Sequence, residues 1–263
     1  MSHDPHDDPY IGPESPPPKR RLFTRRRVLV GGGALFATGA LSGGGFFSFD
    51  RYRRFGRDAE SFIRDHRIVL PTSVPPIVIS HGNDPALNVR AAIDRMGGMG
   101  RFVGPEDIVV VKPNIGWDRA PDQAANTHPE VVAEVARLCL EERPRRVIVC
   151  DCPVAESRRA FERSGIMHAA REVGAEVVLP EESTYHTVEI SQRLGTWDVL
   201  EPFVVATQII NVPVAKHHSL TSTTAGMTNW IGITGKLRVM FHNDIERSIA
   251  ELAALMRPTL TVV

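Results

Sequence analysis

The most informative segment of this chain is Ile108-Val109-Val110-Val111-Lys112-Pro113-Asn114, an apolar β-branched run that ends in polar residues. An uninterrupted run of this kind is typical of a strand buried on both faces, as in parallel sheets. A helical pattern follows over residues 131–140, behind a capping-box spacing at residues 127–130, and then a second apolar run over residues 147–150. Strands that alternate with helices predict an α/β fold, a mostly parallel sheet with helices on both faces.

The chain after residue 75 continues the same alternation. Helices are predicted near residues 88–96, over residues 157–173, and over residues 245–256 behind a cap at Asn243 or Asp244. Further strands are predicted within residues 176–179, 187–190, 203–212 and 259–263. We therefore expect a single α/β domain over residues 75–263. The abrupt final strand predicts that this domain lacks its C-terminal part.

Composition excludes several classes of protein. Of 263 residues, 31 are Lys or Arg and 31 are Asp or Glu, so the formal net charge is zero. Nucleic-acid binders usually carry a clear basic excess, so we expect no nucleic-acid partner. With 3 cysteines, the chain has too few for a disulfide scaffold, and it has no iron–sulfur cluster motif.

The N-terminal part differs in composition from the rest. Residues 1–18 are rich in proline and acidic residues, which predicts a disordered tail. Residues 19–27 include six basic residues and no acid, and residues 28–49 carry no charge. A basic region followed by an apolar one is the pattern of an export signal. Residues 50–74, which contain a further basic cluster, are interpreted as a linker.

The basic region resembles a twin-arginine signal. It contains Thr24-Arg25-Arg26-Arg27-Val28-Leu29, in which paired arginines follow a hydroxyl residue and precede two apolar residues. Glycines keep the following apolar run weakly hydrophobic, unlike an ordinary spanning helix. We expect residues 19–49 to engage the twin-arginine export machinery. The run is also just long enough to span a bilayer, so the product is either periplasmic after cleavage or membrane-anchored.

Polar residues follow the predicted core strands, where ligands of open α/β sheets bind. Lys112 and Asn114 follow the first strand, Asp151 follows the second, Lys216 follows a later one, and Asn229 lies in a long connection, residues 217–243. We predict that these five residues border one cleft for a small anionic ligand, in which a lysine holds a phosphate or carboxylate or acts as a nucleophile. The alternatives are a solvated lysine at a strand end and an asparagine that stabilises a local turn.

Three histidines, His217, His218 and His242, flank the same connection. With Asp151 or Asp244 they supply enough nitrogen and oxygen ligands for one metal ion, so a metal site is a second hypothesis. Adjacent residues on a strand point to opposite faces, so His217 and His218 reach one ion only if the chain turns there. The alternative for each histidine is a capping or hydrogen-bonding role. The sequence identifies no other cofactor.

Several familiar catalytic and cofactor signatures are absent. Residues 232–236 differ from a phosphate-binding P-loop because their glycines are too close together and Leu237 follows the lysine. The sequence also has no dinucleotide-binding glycine motif, no zinc-protease motif and no nucleophile elbow. These absences disfavour nicotinamide chemistry, zinc proteolysis and α/β-hydrolase chemistry.

A series of motifs resembles, in order and approximate spacing, the domain of unknown function 362 family. The motifs are Val111-Lys112-Pro113-Asn114, Asn126-Thr127-His128-Pro129, Pro213-Val214-Ala215-Lys216-His217-His218, Thr228-Asn229-Trp230-Ile231-Gly232, His242 with Asp244-Ile245, and Arg257-Pro258. The resemblance covers residues 75–263 and implies an α/β protein of bacteria or archaea without an established reaction. Some members carry ferredoxin-type cysteine clusters, which this sequence lacks.

Three classes of function agree with these observations. A protein exported in the folded state often carries a cofactor, so a cofactor-dependent enzyme with a strand-end cleft is the leading hypothesis. A non-catalytic periplasmic binding or accessory protein would use the same cleft without a titrating group at a reacting centre. The third class is a membrane-anchored interaction module in which residues 217–243 contact a partner.

Overall fold

The computed structural model describes residues 62–263, apart from the side chains of residues 236–238. The strands in chain order are β1 (Ile108–Pro113), β2 (Arg146–Cys150), β3 (Glu176–Val178), β4 (Tyr185–Ser191), β5 (Gly195–Leu200), β6 (Gln208–Val212), β7 (Lys216–His218), β8 (Ser222–Thr224) and β9 (Leu260–Thr261). The α-helices are α1 (Pro85–Arg95), α2 (Pro129–Glu141), α3 (Ser157–Arg163), α4 (Ile166–Glu172), α5 (Glu201–Val205) and α6 (Ile245–Met256).

The domain is built on a parallel sheet of five strands in the order β3-β2-β1-β6-β9. The register aligns Val110 of β1 with Ile148 of β2 and with Ile209 of β6, and all three side chains are buried. The continuous apolar runs of the sequence therefore lie in the centre of the sheet, covered on both faces. The predicted α/β fold with a mostly parallel sheet is confirmed.

Alternate side chains of the strands enter two separate apolar layers. Val109 and Val111 lie in a cluster with side chains from α1, α2, α3 and α4. Val110 and Ile148 lie in a second cluster with side chains from the β4–β5 hairpin, α5 and α6. In the second layer Trp197 and Phe241 stack with their ring centroids 4.1 Å apart. Helices therefore cover both faces of the sheet, as the sequence predicts.

Two predicted elements are wrong in detail. The helix over residues 157–173 is divided into α3 and α4 at Gly165, whose φ of 76° lies in the left-handed region that favours glycine. The β-rich run over residues 203–212 is strand only in its second half, because its first three residues belong to the short helix α5, which has Pro202 in its first turn. Asp244 does precede α6, but its side chain makes no capping hydrogen bond.

The long connection runs across the carboxyl edge of the sheet. It begins with a small antiparallel hairpin of β7 and β8 and continues in two 3₁₀ helices, Thr228–Ile233 and Lys236–Asp244. A hydrogen bond joins the first 3₁₀ helix to the segment after β2: the amide of Cys152 donates to the carbonyl of Gly232 at 2.9 Å. The connection therefore stays against the strand ends.

Part of the predicted linker, residues 62–74, packs against the domain. The amide of His66 donates to the carbonyl of Arg257 at 3.2 Å, and its Nδ1 lies 3.0 Å from the carbonyl oxygen of Thr207. Within residues 62–263 no helix has the length and apolar character needed to cross a membrane. The predicted tail, the export segment and linker residues 50–61 lie outside the described residues, so those assignments stay predictions.

Candidate functional site

Lys112 and Asp151 form a buried ion pair where the parallel neighbours β1 and β2 end. Lys112 Nζ donates to Asp151 Oδ1 at 2.7 Å and to the Pro113 carbonyl at 3.0 Å. Asp151 Oδ2 accepts a hydrogen bond from the amide of Ile115 at 2.6 Å. The two side chains are 0% and 4% exposed. Charges removed from water are tolerated where their hydrogen-bonding positions are filled, and this pair meets that condition.

Asn229, in the first 3₁₀ helix of the connection, joins this pair to two further asparagines. Its Oδ1 accepts from Lys112 Nζ at 3.2 Å and from Asn114 Nδ2 at 3.1 Å. Its Nδ2 donates to the Lys112 carbonyl at 3.2 Å and to Asn211 Oδ1 at 2.8 Å. Asn229, Asp151 and Pro113 thus supply the three acceptors that a lysine ammonium can use. All the N–H groups of Lys112 Nζ bond within the chain.

Gly232 lies directly against the ion pair. A Cβ atom at this position would stand 2.2 Å from Asp151 Oδ1 and 3.0 Å from Lys112 Nζ. A side chain at residue 232 would therefore displace either the carboxylate or the 3₁₀ helix. The close approach of this helix to the strand ends requires glycine here.

Thr127 connects the segment after β1 to the end of β6. Its hydroxyl donates to the carbonyl of Val212 at 2.7 Å and accepts a hydrogen bond from the amide of Asn114 at 2.8 Å. The capping-box prediction is therefore wrong for Thr127, because the N-cap of α2 is His128, without a side-chain capping bond. Thr127 instead holds the backbone of Asn114 in place at the carboxyl edge.

Lys216 is the second cation of the site and differs from Lys112 in its partners. Its side chain is half-buried, and its Nζ donates to Asn114 Oδ1 at 2.8 Å and to the carbonyl of Ala125. Burial lowers the pKa of Lys216, repulsion from Lys112 lowers it further, and Asp151 opposes both effects. Among residues 62–263 no carboxylate pairs with Lys216, and its two acceptors leave one N–H bond available.

The structure thus brings together all five residues predicted to border the cleft. They form one hydrogen-bonded network at the carboxyl edge of the sheet: Lys112, Asn114, Asp151, Lys216 and Asn229. The network extends over the ends of β1, β2 and β6 and is covered by the connection. Their role in binding a ligand stays a prediction.

The three predicted metal-binding histidines occupy different surroundings. His217 is exposed, and Nδ1 of His218 accepts hydrogen bonds from the amides of Leu220 at 3.3 Å and Thr221 at 3.2 Å. His242 is exposed, with its Nδ1 3.1 Å from the carbonyl oxygen of Val239. Within the part of the chain that the structure describes, no group of three or more His, Cys, Asp or Glu side chains is placed to hold a metal ion. The metal site stays a prediction.

Sequence reasoning missed Asn211, which is central to the network. Asn211 is buried next to Lys112 in the register of β6 against β1, and its Nδ2 donates to the carbonyl of Gly226 at 2.9 Å. The signal was present, because an asparagine inside the apolar strand Gln208–Val212 needs partners to be buried. The position of that strand beside β1, which the sequence does not specify, supplies those partners.

Two comparisons place the chain among known proteins. The family described as Domain of unknown function (DUF362) matches residues 109–263. The Thylakoid-associated protein sll1697 of Synechocystis sp. is 28% identical over 185 residues, which are 67% of this chain and 57% of that relative. The chain therefore matches little more than half of the relative's length.

No solved structure matches the chain. The family match covers more than half of the 263 residues, including the parallel sheet from Val109 of β1 onward and every residue of the polar network. The chain belongs to the family described as Domain of unknown function (DUF362).

Proposed function

We propose that this chain binds a small anion at the carboxyl edge of its sheet, with Lys216 as the cation that contacts it. The observation that carries this proposal is a half-buried ammonium that, among the described residues, has only neutral acceptors. Removing a charge from water is costly unless an opposite charge compensates it. Asp151 provides that compensation for Lys112. A phosphate or carboxylate would provide it for Lys216.

The charges around Lys216 support an anionic rather than a cationic ligand. Residues 202–243 contain no Asp or Glu. Burial lowers the pKa of His218, and repulsion from His242, Lys216 and His217 lowers it further. Because Asp151 is paired with Lys112, the charge of Lys216 is left in excess in the network, and an excess of one sign of charge attracts ions of the opposite sign.

The test is phosphate binding to the full chain and to Lys216→Met, measured by isothermal titration calorimetry. Methionine has nearly the length of lysine but no charge, so packing is retained while the charged hydrogen bond is lost. We expect phosphate affinity to fall by about 10- to 100-fold. Acetate, titrated in the same way, tells whether the site prefers phosphate or carboxylate.

A matched control is Arg171→Met, which removes one positive charge from an exposed position of α4. It should bind phosphate as the wild type does. A pH series gives an independent readout: because burial lowers the pKa of Lys216, phosphate affinity should fall as the pH rises, and the fall should begin at a lower pH than it would for an ordinary lysine. Unchanged affinity in Lys216→Met, or equal loss in both variants, would refute the anion site.

We further propose that the chain is exported by the twin-arginine route. The paired arginines after Thr24 and the uncharged run of residues 28–49 support this route. The Synechocystis relative is named for its association with thylakoids, which agrees with a protein that reaches a membrane. Cleaved and anchored products both remain compatible with the sequence.

The expected result for Arg25→Lys combined with Arg26→Lys is retention in the cytoplasm, because the export machinery requires the arginine pair. Cell fractionation followed by immunoblotting measures the exported fraction, and the mass of the exported wild type tells whether the signal is cleaved. Arg20→Lys combined with Arg21→Lys is the matched control, and it should be exported normally. Normal export of the first variant would instead mean that the apolar run is a simple anchor.

A further inference from the structure

Gly116, in the segment that follows β1, stands beside the ammonium of Lys216. A Cβ atom at residue 116 would be 3.9 Å from Lys216 Nζ and 3.7 Å from Asn114 Oδ1. Apart from the two residues next to it in the chain, no other described atom lies within 4 Å of that position. The space in front of the ammonium is therefore bordered by a residue without a side chain, and a bulky residue at this position would lie over Nζ.

The backbone amide of Gly116 is an available donor at the same place. The amide of Ile115 donates to Asp151 Oδ2 at 2.6 Å, and the amide of Trp117 donates to Asn126 Oδ1 at 3.1 Å. The amide of the half-buried Gly116, between these two, has no acceptor among residues 62–263. Because backbone N–H groups that are removed from water are nearly always paired, this amide requires an acceptor from solvent or from a ligand.

The amide nitrogen of Gly116 and Nζ of Lys216 are close enough to bind one ion. Standard bond lengths put an amide nitrogen about 2.5 Å from the Cβ position of its own residue. The two nitrogens are therefore no more than about 6.5 Å apart. Each hydrogen bond spans about 2.9 Å, and an oxyanion adds the distance between its own oxygens. Since Lys216 has one N–H left after Asn114 and Ala125, a single oxyanion can accept from both groups.

Hydrogen bonds hold the backbone of Gly116 in this position. Its carbonyl accepts from the amides of Val154 at 3.0 Å and Ala155 at 3.1 Å, in the segment after β2. The amides before and after it in the chain are also bonded, as described above. A donor that is already fixed loses little conformational entropy when a ligand binds, so its hydrogen bond contributes more to affinity.

We propose that the Gly116 amide is the second donor of the anion site, so that an oxyanion is held between this backbone group and the Lys216 ammonium. The proposal rests on the anion site proposed above and adds a residue to it. Backbone N–H groups together with a lysine are a recurrent means of holding phosphate in proteins. In this arrangement glycine at residue 116 serves to keep the approach to Nζ open.

The first test is a titration of the full chain, labelled with ¹⁵N-glycine, with inorganic phosphate, followed by NMR. The signal of Gly116 is identified by its absence from the spectrum of Gly116→Ala. Among the 21 glycines, Gly116 should show the largest downfield shift of its amide proton, because a hydrogen bond to a phosphate oxygen deshields that proton. Lys216→Met should lose the shift at the same phosphate concentration. Saturation with phosphate without a shift at Gly116 would refute the amide as a donor and leave the Lys216 site standing. Absence of any phosphate binding would refute the anion site itself.

The second test is the affinity of Gly116→Val for phosphate, measured by isothermal titration calorimetry. Its side chain would stand over Nζ of Lys216, so we expect affinity to fall by at least about tenfold. The matched control is Gly104→Val, before β1 at the opposite edge of the sheet, where a Cβ would be 3.7 Å from Asp107 Oδ2. This control should bind phosphate as the wild type does. Wild-type affinity in Gly116→Val would overturn the proposal. The NMR titration uses the unaltered chain, so it decides the question even if Gly116→Val folds poorly.

Discussion

Replacing Lys112 by Met should lower the free energy of unfolding by about 4 kcal/mol, the usual effect of removing one partner from a buried ion pair. The substitution leaves Asp151 charged and almost fully buried, with the amide of Ile115 as its remaining hydrogen-bond donor. It also leaves Oδ1 of Asn229 with one donor instead of two. Urea denaturation, followed by tryptophan fluorescence, to which the buried Trp230 contributes, measures the change.

Two variants separate the buried charge from the lost packing. Lys112→Met combined with Asp151→Asn removes the unpaired charge. The asparagine side-chain oxygen can still accept a hydrogen bond from the amide of Ile115, so the double variant should recover much of the lost stability. Arg146→Met breaks the partly exposed ion pair with Glu176 on the neighbouring strand and should have little effect. A double variant as unstable as Lys112→Met would mean that packing, and not the buried charge, dominates.

Replacing Gly232 by Ala should destabilise the domain by about 3 kcal/mol, because a methyl group has no room beside the ion pair. The new Cβ would stand 2.2 Å from Asp151 Oδ1 and 3.2 Å from Asp151 Cγ. Either the carboxylate leaves Lys112, or the 3₁₀ helix moves off the strand ends and takes Asn229 with it. Urea denaturation detects both, and hydrogen exchange in residues 228–233 identifies the second.

Gly104→Ala is the control for the loss of a glycine. A Cβ at Gly104 would be 3.7 Å from Asp107 Oδ2, an ordinary van der Waals distance, so stability should change little. Wild-type stability in Gly232→Ala would contradict the close packing of the 3₁₀ helix against the ion pair. It would also remove the reason why this position holds glycine.

The sheet was largely predictable because a strand that is buried on both faces has apolar residues at successive positions. The runs that contain Val109 and Val147 are apolar at successive positions, and both became central strands. Element boundaries depend on residues with restricted or unusual backbone geometry. Gly165 divides the predicted helix over residues 157–173, and the helix that has Pro202 in its first turn takes the first residues of the predicted strand run.

The sequence was enough to predict which residues form the candidate site, but not which of its two lysines is paired with a carboxylate. A position at or after the end of a predicted parallel strand was enough to select Lys112, Asp151 and Lys216, since the carboxyl ends of such strands share one edge of the sheet. In the sequence Lys112 and Lys216 cannot be told apart by position, because each stands at the end of a predicted strand. In the structure Lys112 is neutralised by Asp151, whereas Lys216 has neutral acceptors. That difference decides which of them is proposed to meet a ligand.

By itself the sequence determined the fold class and the polar strand ends, because apolar runs and the residues that end them are local properties of the chain. The tertiary structure alone decided which polar groups meet. Lys112 and Asn229 are 117 residues apart, and their contact depends on the path of the connection across the sheet. Asn211 reaches the same network because the strand order places β6 beside β1. Hydrogen bonds form between groups that the fold brings within about 3 Å, whatever their separation in the sequence.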